Sequence, residues 1–529
     1  MGNHMEKPSN HMPNSNFSLD EPSIPDWALL LTVFITGACV LIIELMGTRI
    51  LAPYFGNGIY TWSALIAITL AALALGYAFG GRLADRQPRA VILYSICLAA
   101  GLWTLATPLL ARPLLPLLVQ IPDVRPGILI SSCILFFPSL FLLGAIGPFV
   151  IRLSTHNRES IGSTSGLVFS ISTIGSLLGA LGTGFFLIPN YGVQVIFAFC
   201  GIVLVVLAIL GNFRPKFIGY AVLLTLLILL LTVLSGKKPA AKTSIEVLEQ
   251  TPSFYGQLQV IQKNNVKSLL VDGIGQNYVF DNNSHTTQYI SFIAALPTLS
   301  ESTAKTDPKA LIIGLGAGQL PMLMQQNGYH VDAVEIDPKI GDIAAKYFGF
   351  NLSADRIHYM DGRRYFLRNR SDYEFIVIDA FSGEQIASHL LSVEALIEAK
   401  AHLTKTGVLA INVTSEKNGT DIAALQHTLK AVFPHVRIFT PDNSSELSSF
   451  VLVASQAPVH LSTEGVSFST AQLADVEQFI AGELPNLQGT LLLTDDFNPI
   501  SYYRRDVQLL WRKAMISYLG GENLQWLLL

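Results

Sequence analysis

ALIIGLGAGQLPML, residues 310–323, is a hydrophobic strand that runs into Gly314, Gly316 and Gly318 and then into a helix. Glycines at such a turn let backbone amides and a helix N-terminus approach a ligand closely. Seventeen residues beyond Gly318 a second strand ends in Glu335-Ile336-Asp337. An acid at that strand tip is placed to accept hydrogen bonds from ribose hydroxyls. A third short strand leads to Asp361-Gly362, and a fourth ends in Asp379. Strand-like runs at Leu311–Gly314, Asp332–Glu335, Phe375–Asp379, Gly407–Val413 and Phe450–Ala454 alternate with helical patterns, which predicts a parallel sheet with crossover helices. Glycines and acids at successive strand ends on one edge of that sheet define a nucleoside-binding site. Before it, SIEVLEQ, GQLQVIQ, KSLLVDG and NYVF read as short strands of a small β-domain.

The other half of the chain is of a different kind. Half of the 529 residues are hydrophobic and only 14% are charged, with a mean hydropathy of +0.45. A soluble chain carries about 25% charged residues, so part of this one belongs in lipid. Only fourteen of the charged residues fall between Trp27 and Gly236. That region holds seven apolar runs, roughly 27–47, 60–80, 91–110, 127–151, 166–188, 193–212 and 217–235, each near the ~20 residues a bilayer span needs. The fifth carries Gly175, Gly179 and Gly182, a small-residue face for close helix packing. The Pro-interrupted stretch 111–126 is an interfacial or re-entrant piece, or an eighth crossing. Loop cations do not orient the bundle, with seven on one side and six on the other.

The expected organisation is a tail at 1–26 that is partly tag, a transmembrane helical domain at 27–236, a linker at 237–244, a small β-domain at 245–284 and a Rossmann-like α/β domain at 285–529. All four cysteines, Cys39, Cys97, Cys133 and Cys200, lie in the apolar half and read as small buried hydrophobes. A net charge of −4 offers no basic excess for nucleic acid. No histidine pair has metal-ligand spacing, so no metal is expected.

Residues 250–500 resemble a spermidine synthase, on SFYGQLQV, LLVDGIGQ, the glycine loop, VEID, MDG and VIDAF. With FITGACVLIIELMGTRILAPYFG and GGRLADR added, the whole chain resembles the membrane-integrated, transporter-fused spermidine synthases. Their DAFSG, HLLS and TDD…P motifs stand here at Asp379–Gly383, His389–Ser392 and Thr494–Pro499. The resemblance implies a methyltransferase-type or spermidine-synthase-type fold and a homodimer. It implies that Gln276 lines the sulfonium pocket, Glu335 meets the ribose, Asp361 meets adenine, and Asp379 and Tyr289 are catalytic. No cofactor is implied beyond S-adenosylmethionine, or its decarboxylated form, as substrate. These sulfonium nucleosides are made in the cytosol, which places the domain on the cytosolic side of the cytoplasmic (inner) membrane.

Two departures carry the expected chemistry. The family's acid inside the glycine loop, which holds the amine of decarboxylated S-adenosylmethionine, is Ala317 here. The acid three residues after the catalytic aspartate, which holds the diamine, is Ser382. Loss of the first admits the carboxylate of S-adenosylmethionine itself, and loss of the second removes a diamine anchor. The leading expectation is therefore a lyase: the substrate's own carboxylate closes a lactone and expels methylthioadenosine, an intramolecular attack of high effective concentration. The alternatives are polyamine aminopropyl transfer, with Asp495 or Asp496 replacing the lost acid, and a non-catalytic membrane carrier or sensor of polyamine or nucleoside. Methyl transfer is a neighbouring possibility.

Four features have a plainer reading beside the functional one. Glu44 and Arg49 form an interfacial ion pair or mark an intramembrane site. His389 touches substrate or opens a helix at the pocket rim. Asp495 is a site residue or part of the turn before Pro499. The C-terminal YYRRDVQLLWRKAMISYL is amphipathic and packs on the domain or on the membrane.

Overall fold

The computed structural model describes residues 25–121, 123–155, 161–235, 245–280, 287–299, 307–417, 419–441, 446–459, 461 and 469–520. Residues 1–24 of the expected tail and the whole 237–244 linker lie outside them. The apolar half is helical: α1 (Asp26–Phe55), α2 (Ile59–Arg86), α3 (Ala90–Leu118), α4 (Val124–Leu135), α5 (Phe137–Ser154), α6 (Ile161–Gly182), α7 (Ile188–Asn190), α8 (Val193–Gly211) and α9 (Pro215–Ser235). Among the described residues seven helical spans are long and apolar enough to cross a bilayer, by length and composition. The stretch 111–118 is no separate piece. It continues α3, which holds Pro108, Pro113 and Pro116 within its length. The fourth run is broken at Phe136, because Pro138 has no N–H to give the preceding turn.

Packing corrects three further expectations. A Cβ at Gly175 or Gly179 would overlap the carbonyl oxygens of Phe34 and Ala38 on α1, so these two glycines set the approach of α6 to α1, whereas Gly182 faces open space. Cys133 is exposed, unlike the other three cysteines. Arg49 does not pair with Glu44; it donates a 2.6 Å hydrogen bond to the carbonyl of Phe254, in the β-rich half.

Strands β1 (Ile245–Pro252), β2 (Gln257–Lys263), β3 (Val266–Val271) and β4 (Ile274–Phe280) form an antiparallel sheet in sequence order. Asp272-Gly273 joins β3 to β4 with positive φ at both residues, the turn that suits a two-residue hairpin. The larger sheet is built from β5 (Lys309–Ile313), β6 (His330–Glu335), β7 (Ile357–Tyr359), β8 (Tyr373–Ile378), β11 (Leu403–Glu416), β12 (His435–Phe439), β13 (Leu447–Ser455) and β14 (Glu483–Leu484). Between them, β9 (Phe381–Ser382) and β10 (Gln385–Ile386) make a small hairpin. The order is β14-β12-β13-β11-β8-β5-β6-β7. Strands β5 to β8 and β11 run parallel, but β13 is antiparallel to both its neighbours, so the sheet is not wholly parallel as expected. This is a Rossmann-like doubly wound α/β fold, and its order reverses between β5 and β8, the place where such sheets bind ligands.

The crossover helices are α10 (Gln288–Leu299), preceding β5, then α11 (Gln319–Gln326), α12 (Pro338–Phe348), α13 (Gly362–Arg368), α14 (Val393–Ala401), α15 (Thr420–Val432) and α16 (Thr470–Ala481). After β14 the chain ends in α17 (Ile500–Tyr503) and α18 (Arg505–Leu519). One apolar cluster runs from the helical bundle into the β-rich half through Leu519, Ile516 and Met515 of α18 and Leu270 of β3.

Replacing Gly175 by Val should force α6 off α1 and cost roughly 1–3 kcal/mol. Thermal unfolding of the detergent-solubilised protein should show a lowered midpoint for Gly175→Val and little change for Gly182→Val.

Candidate active site

The glycine turn follows from local geometry. β5 must turn sharply at its end, and Gly314 does so with φ +100°, where a Cβ would overlap the carbonyl oxygen of Asp379. Gly316, at φ +53°, passes so close to Asn277 that a Cβ there would meet its side-chain oxygen. That oxygen accepts a 2.8 Å hydrogen bond from the backbone N–H of Ala317, which ties the small sheet to the turn.

Asp379 follows β8 at the switch point. Tyr289 Oη donates to its Oδ2 at 2.9 Å, and Asn412 Nδ2 donates to its Oδ1 at 2.8 Å. Asn277 Nδ2 in turn donates to Tyr289 Oη at 3.2 Å. Burial pushes the Asp379 carboxyl up from the ordinary aspartate range, against the pull of the two donors. Burial and the neighbouring Asp379 charge raise Tyr289 well above an ordinary phenol, so it stays a donor. The Oδ1 of Asn412 is buried without a hydrogen-bond partner among the described residues.

Glu335 at the end of β6 accepts from the backbone N–H groups of Leu315 (3.0 Å) and Asp337 (2.9 Å). Burial outweighs these contacts and raises its pKa. Asp361 caps α13, accepting from Arg363 N at 3.0 Å and Arg364 N at 3.1 Å, while His389 Nε2 stands 2.7 Å from its other oxygen. Partial burial pushes Asp361 up, but the His389 contact and the two backbone donors together hold it below the usual range.

These groups open on one cavity of about 860 Å³. Of the expected residues, Tyr289, Gln276, Gly314, Gly316, Glu335, Ile336, Asp361, Gly362, Asp379 and Ser382 line it. Gln276 Nε2 donates to the carbonyl of Gly383 at 3.1 Å, and Ser382 Oγ to that of Tyr255 at 3.3 Å. Two expected residues are not in the wall. Gly318 caps α11 against Phe350. Asp495 is held by Arg363 Nη1 and Ser392 Oγ, both at 2.6 Å, so its charge serves a surface cluster behind α13. Ala317 is also out of the wall, fully buried in an apolar cluster with Leu258 and Phe348. The position where the family carries its loop acid therefore presents no charge to the cavity.

Sequence reasoning missed Asn277, Asn412 and the α18 face. Trp511, Ala514, Met515 and Tyr518 of α18 line the cavity, so the C-terminal helix is a wall of the site as well as a packing element. Their i, i+3, i+4, i+7 spacing was the available signal. No comparable sequence signal marked the asparagines.

No family model matches the chain. The polyamine aminopropyltransferase of Vibrio vulnificus is 32% identical over 208 residues, covering 36% of this chain and 68% of that protein. A protein of Bifidobacterium longum named probable polyamine aminopropyl transferase is 28% identical over 196 residues, 36% of this chain and 43% of its own length. A solved structure of a probable spermidine synthase from Corynebacterium glutamicum aligns with a TM-score of 0.38 at 15% identity, covering 51% of this chain and 94% of that one. The chain belongs, over that part of its length, to the polyamine aminopropyltransferase family.

Gly316→Ala should destabilise the protein by roughly 1–3 kcal/mol through positive-φ strain and overlap with Asn277. In an Asn277→Ala background part of that loss should vanish, giving a coupling of about 1 kcal/mol in a double-mutant cycle followed by chemical unfolding.

Proposed function

We propose that this is an integral-membrane aminopropyltransferase that takes its propylamine group from decarboxylated S-adenosylmethionine and releases methylthioadenosine. The observation that carries the reading is Asp379, held in the cavity by Tyr289 and Asn412 beside the glycine turn, in a chain of the aminopropyltransferase family. In this reading Glu335 accepts from the ribose hydroxyls, Asp361 from the adenine amine, and Ile336 and Gly362 flank the base. Gln276 and Tyr289 position the propylamine chain. Asp379 takes a proton from the acceptor's ammonium, which frees the nitrogen lone pair to attack the carbon attached to sulfur. The C–S bond breaks and its electrons stay on sulfur, so methylthioadenosine leaves neutral. No cofactor or metal takes part. The seven apolar spans hold the protein in the cytoplasmic membrane with the catalytic half in the cytosol, where the sulfonium is made. Lactone formation from intact S-adenosylmethionine has no support in the relatives.

The test is to incubate purified protein with decarboxylated S-adenosylmethionine and putrescine, and separately with S-adenosylmethionine alone, following methylthioadenosine by mass spectrometry. Product from the first mixture supports transfer. Methylthioadenosine with homoserine lactone from the second would replace this reading with the lyase. Asp379→Asn should lower the turnover rate roughly 10²- to 10⁴-fold.

The pH profile carries the sign of the Asp379 shift. Its pKa is raised, so the carboxylate protonates, and the rate falls, at a higher pH than the ~3.9 of a free aspartate. Asn412→Ala removes a donor to the carboxylate and should move that acid limb higher still.

Binding separates the two candidate acids. Glu335→Ala should weaken methylthioadenosine binding by roughly tenfold or more in calorimetry, whereas Asp495→Ala should leave it within about twofold.

A further inference from the structure

The strand order divides the cavity into two chemically different halves. The carboxylates Glu335 and Asp361 sit at the ends of β6 and β7, on one side of Asp379. On the other side the wall comes from β11, β13, strands β3 and β4 of the small sheet, and α18. Among the described residues this half contains no carboxylate: Leu270, Tyr278, Phe280, Trp511, Met515 and Tyr518 line it, and its polar groups, among them Ser268, Gln276, Thr287, Asn412 and Thr414, are all neutral. Asp475 stands near Tyr278 but is not in the wall. A diamine bound here would bring its second ammonium, which needs an anionic partner, against rings and a thioether. Ser382, on the hairpin, supplies a hydroxyl only.

The apolar half is also continuous with the helical bundle. Leu270 and Met515 line the cavity and belong to the same apolar cluster as the cores of α1, α3 and α8. The hairpin that closes the site rests on the bundle as well: Glu384 is ion-paired with Arg512 of α18, and both stand against Gly56 at the end of α1.

We propose that the acceptor is a primary amine carried on an apolar chain, seated between α18 and strands β3 and β4 with its nitrogen at Asp379. This rests on the aminopropyl-transfer reading and names its second substrate. Such an amine needs one anionic partner, which Asp379 supplies, with the free Oδ1 of Asn412 as a second acceptor. Its chain is then buried where a second charge would be left unpaired. The amine nitrogen forms a bond to the propyl carbon, the C–S bond breaks toward sulfur, and the nitrogen's proton passes to Asp379 and then to water. The product is a secondary amine bearing one added aminopropyl group.

The test uses the full-length protein in phosphatidylcholine nanodiscs with decarboxylated S-adenosylmethionine and one acceptor at a time: octadecylamine held in the disc, free decylamine, or putrescine. The expected result is methylthioadenosine together with a C3H7N mass gain on an apolar amine, at a higher kcat/KM than on putrescine. Gain on octadecylamine alone identifies an amine drawn from the bilayer, and gain on decylamine as well identifies any long-chain amine. Trp511→Ala should lower the ratio of apolar-amine to putrescine kcat/KM roughly tenfold. Ser449→Asp, which adds an anionic anchor to the same half, should lower that ratio too. Methylthioadenosine binding by each variant reports whether it is folded. Preference for putrescine by the wild type overturns the apolar acceptor and leaves aminopropyl transfer standing. No transfer to any acceptor, or lactone from S-adenosylmethionine alone, overturns both.

Discussion

The site hangs on a run of hydrogen bonds from Asn277 through Tyr289 and Asp379 to Asn412. Its four members come from β4, α10, the end of β8 and β11, so the run ties the small sheet to the large one at the switch point. Each member also limits the others. Asn277 holds the glycine turn through Ala317, burial and the adjoining Asp379 raise the Tyr289 phenol, and Asn412 steadies the opposite oxygen of the carboxylate. In a desolvated setting, a network of this kind is favourable only when nearly every group is satisfied. Asn412, whose Oδ1 is without a partner among the described residues, is also a member of the cavity wall.

The C-terminal helix is placed with similar strictness. At its start Arg504 is paired with Asp421 at 3.0 Å, both side chains fully buried, and Asp421 also accepts from Ser415 of β11. Eight residues further along, Arg512 donates to the Asp272 carbonyl at 3.2 Å as well as pairing with Glu384. Buried ion pairs are weak sources of net stability, but breaking one leaves an uncompensated charge, so they specify position. Here they fix which face of the helix meets the cavity.

Much of this was legible in the residues. Glycines after a hydrophobic strand, acids at successive strand ends and a low-charge half with seven apolar runs are local patterns, and each has a local cause. What was not legible depended on direction in space. Ala317 occupies the expected position in the loop, and its side chain packs into an apolar cluster while its N–H is taken by Asn277. Asp495 lies in a motif shared with the resembling family, yet Arg363 and Ser392, distant in sequence, claim its carboxylate. Arg49 was read against Glu44, its neighbour along the helix, but its partner is a carbonyl 205 residues away. The antiparallel β13 is hidden for the same reason, since strand direction depends on how a connection is routed rather than on the composition of the strand.

The shared apolar cluster makes the two halves poor modules. A catalytic half cut free at residues 237–244 would carry Ile245, Val247, Ile516 and Leu519 without the helices that cover them. It would also lose the α1 terminus against which Glu384 and Arg512 are stacked. The cut fragment would begin life with a sticky, newly wetted face beside the cavity wall that Met515 and Leu270 supply. An architecture of this sort ties inheritance of the enzyme to inheritance of its anchor: selection on either half is felt by the other through a common core.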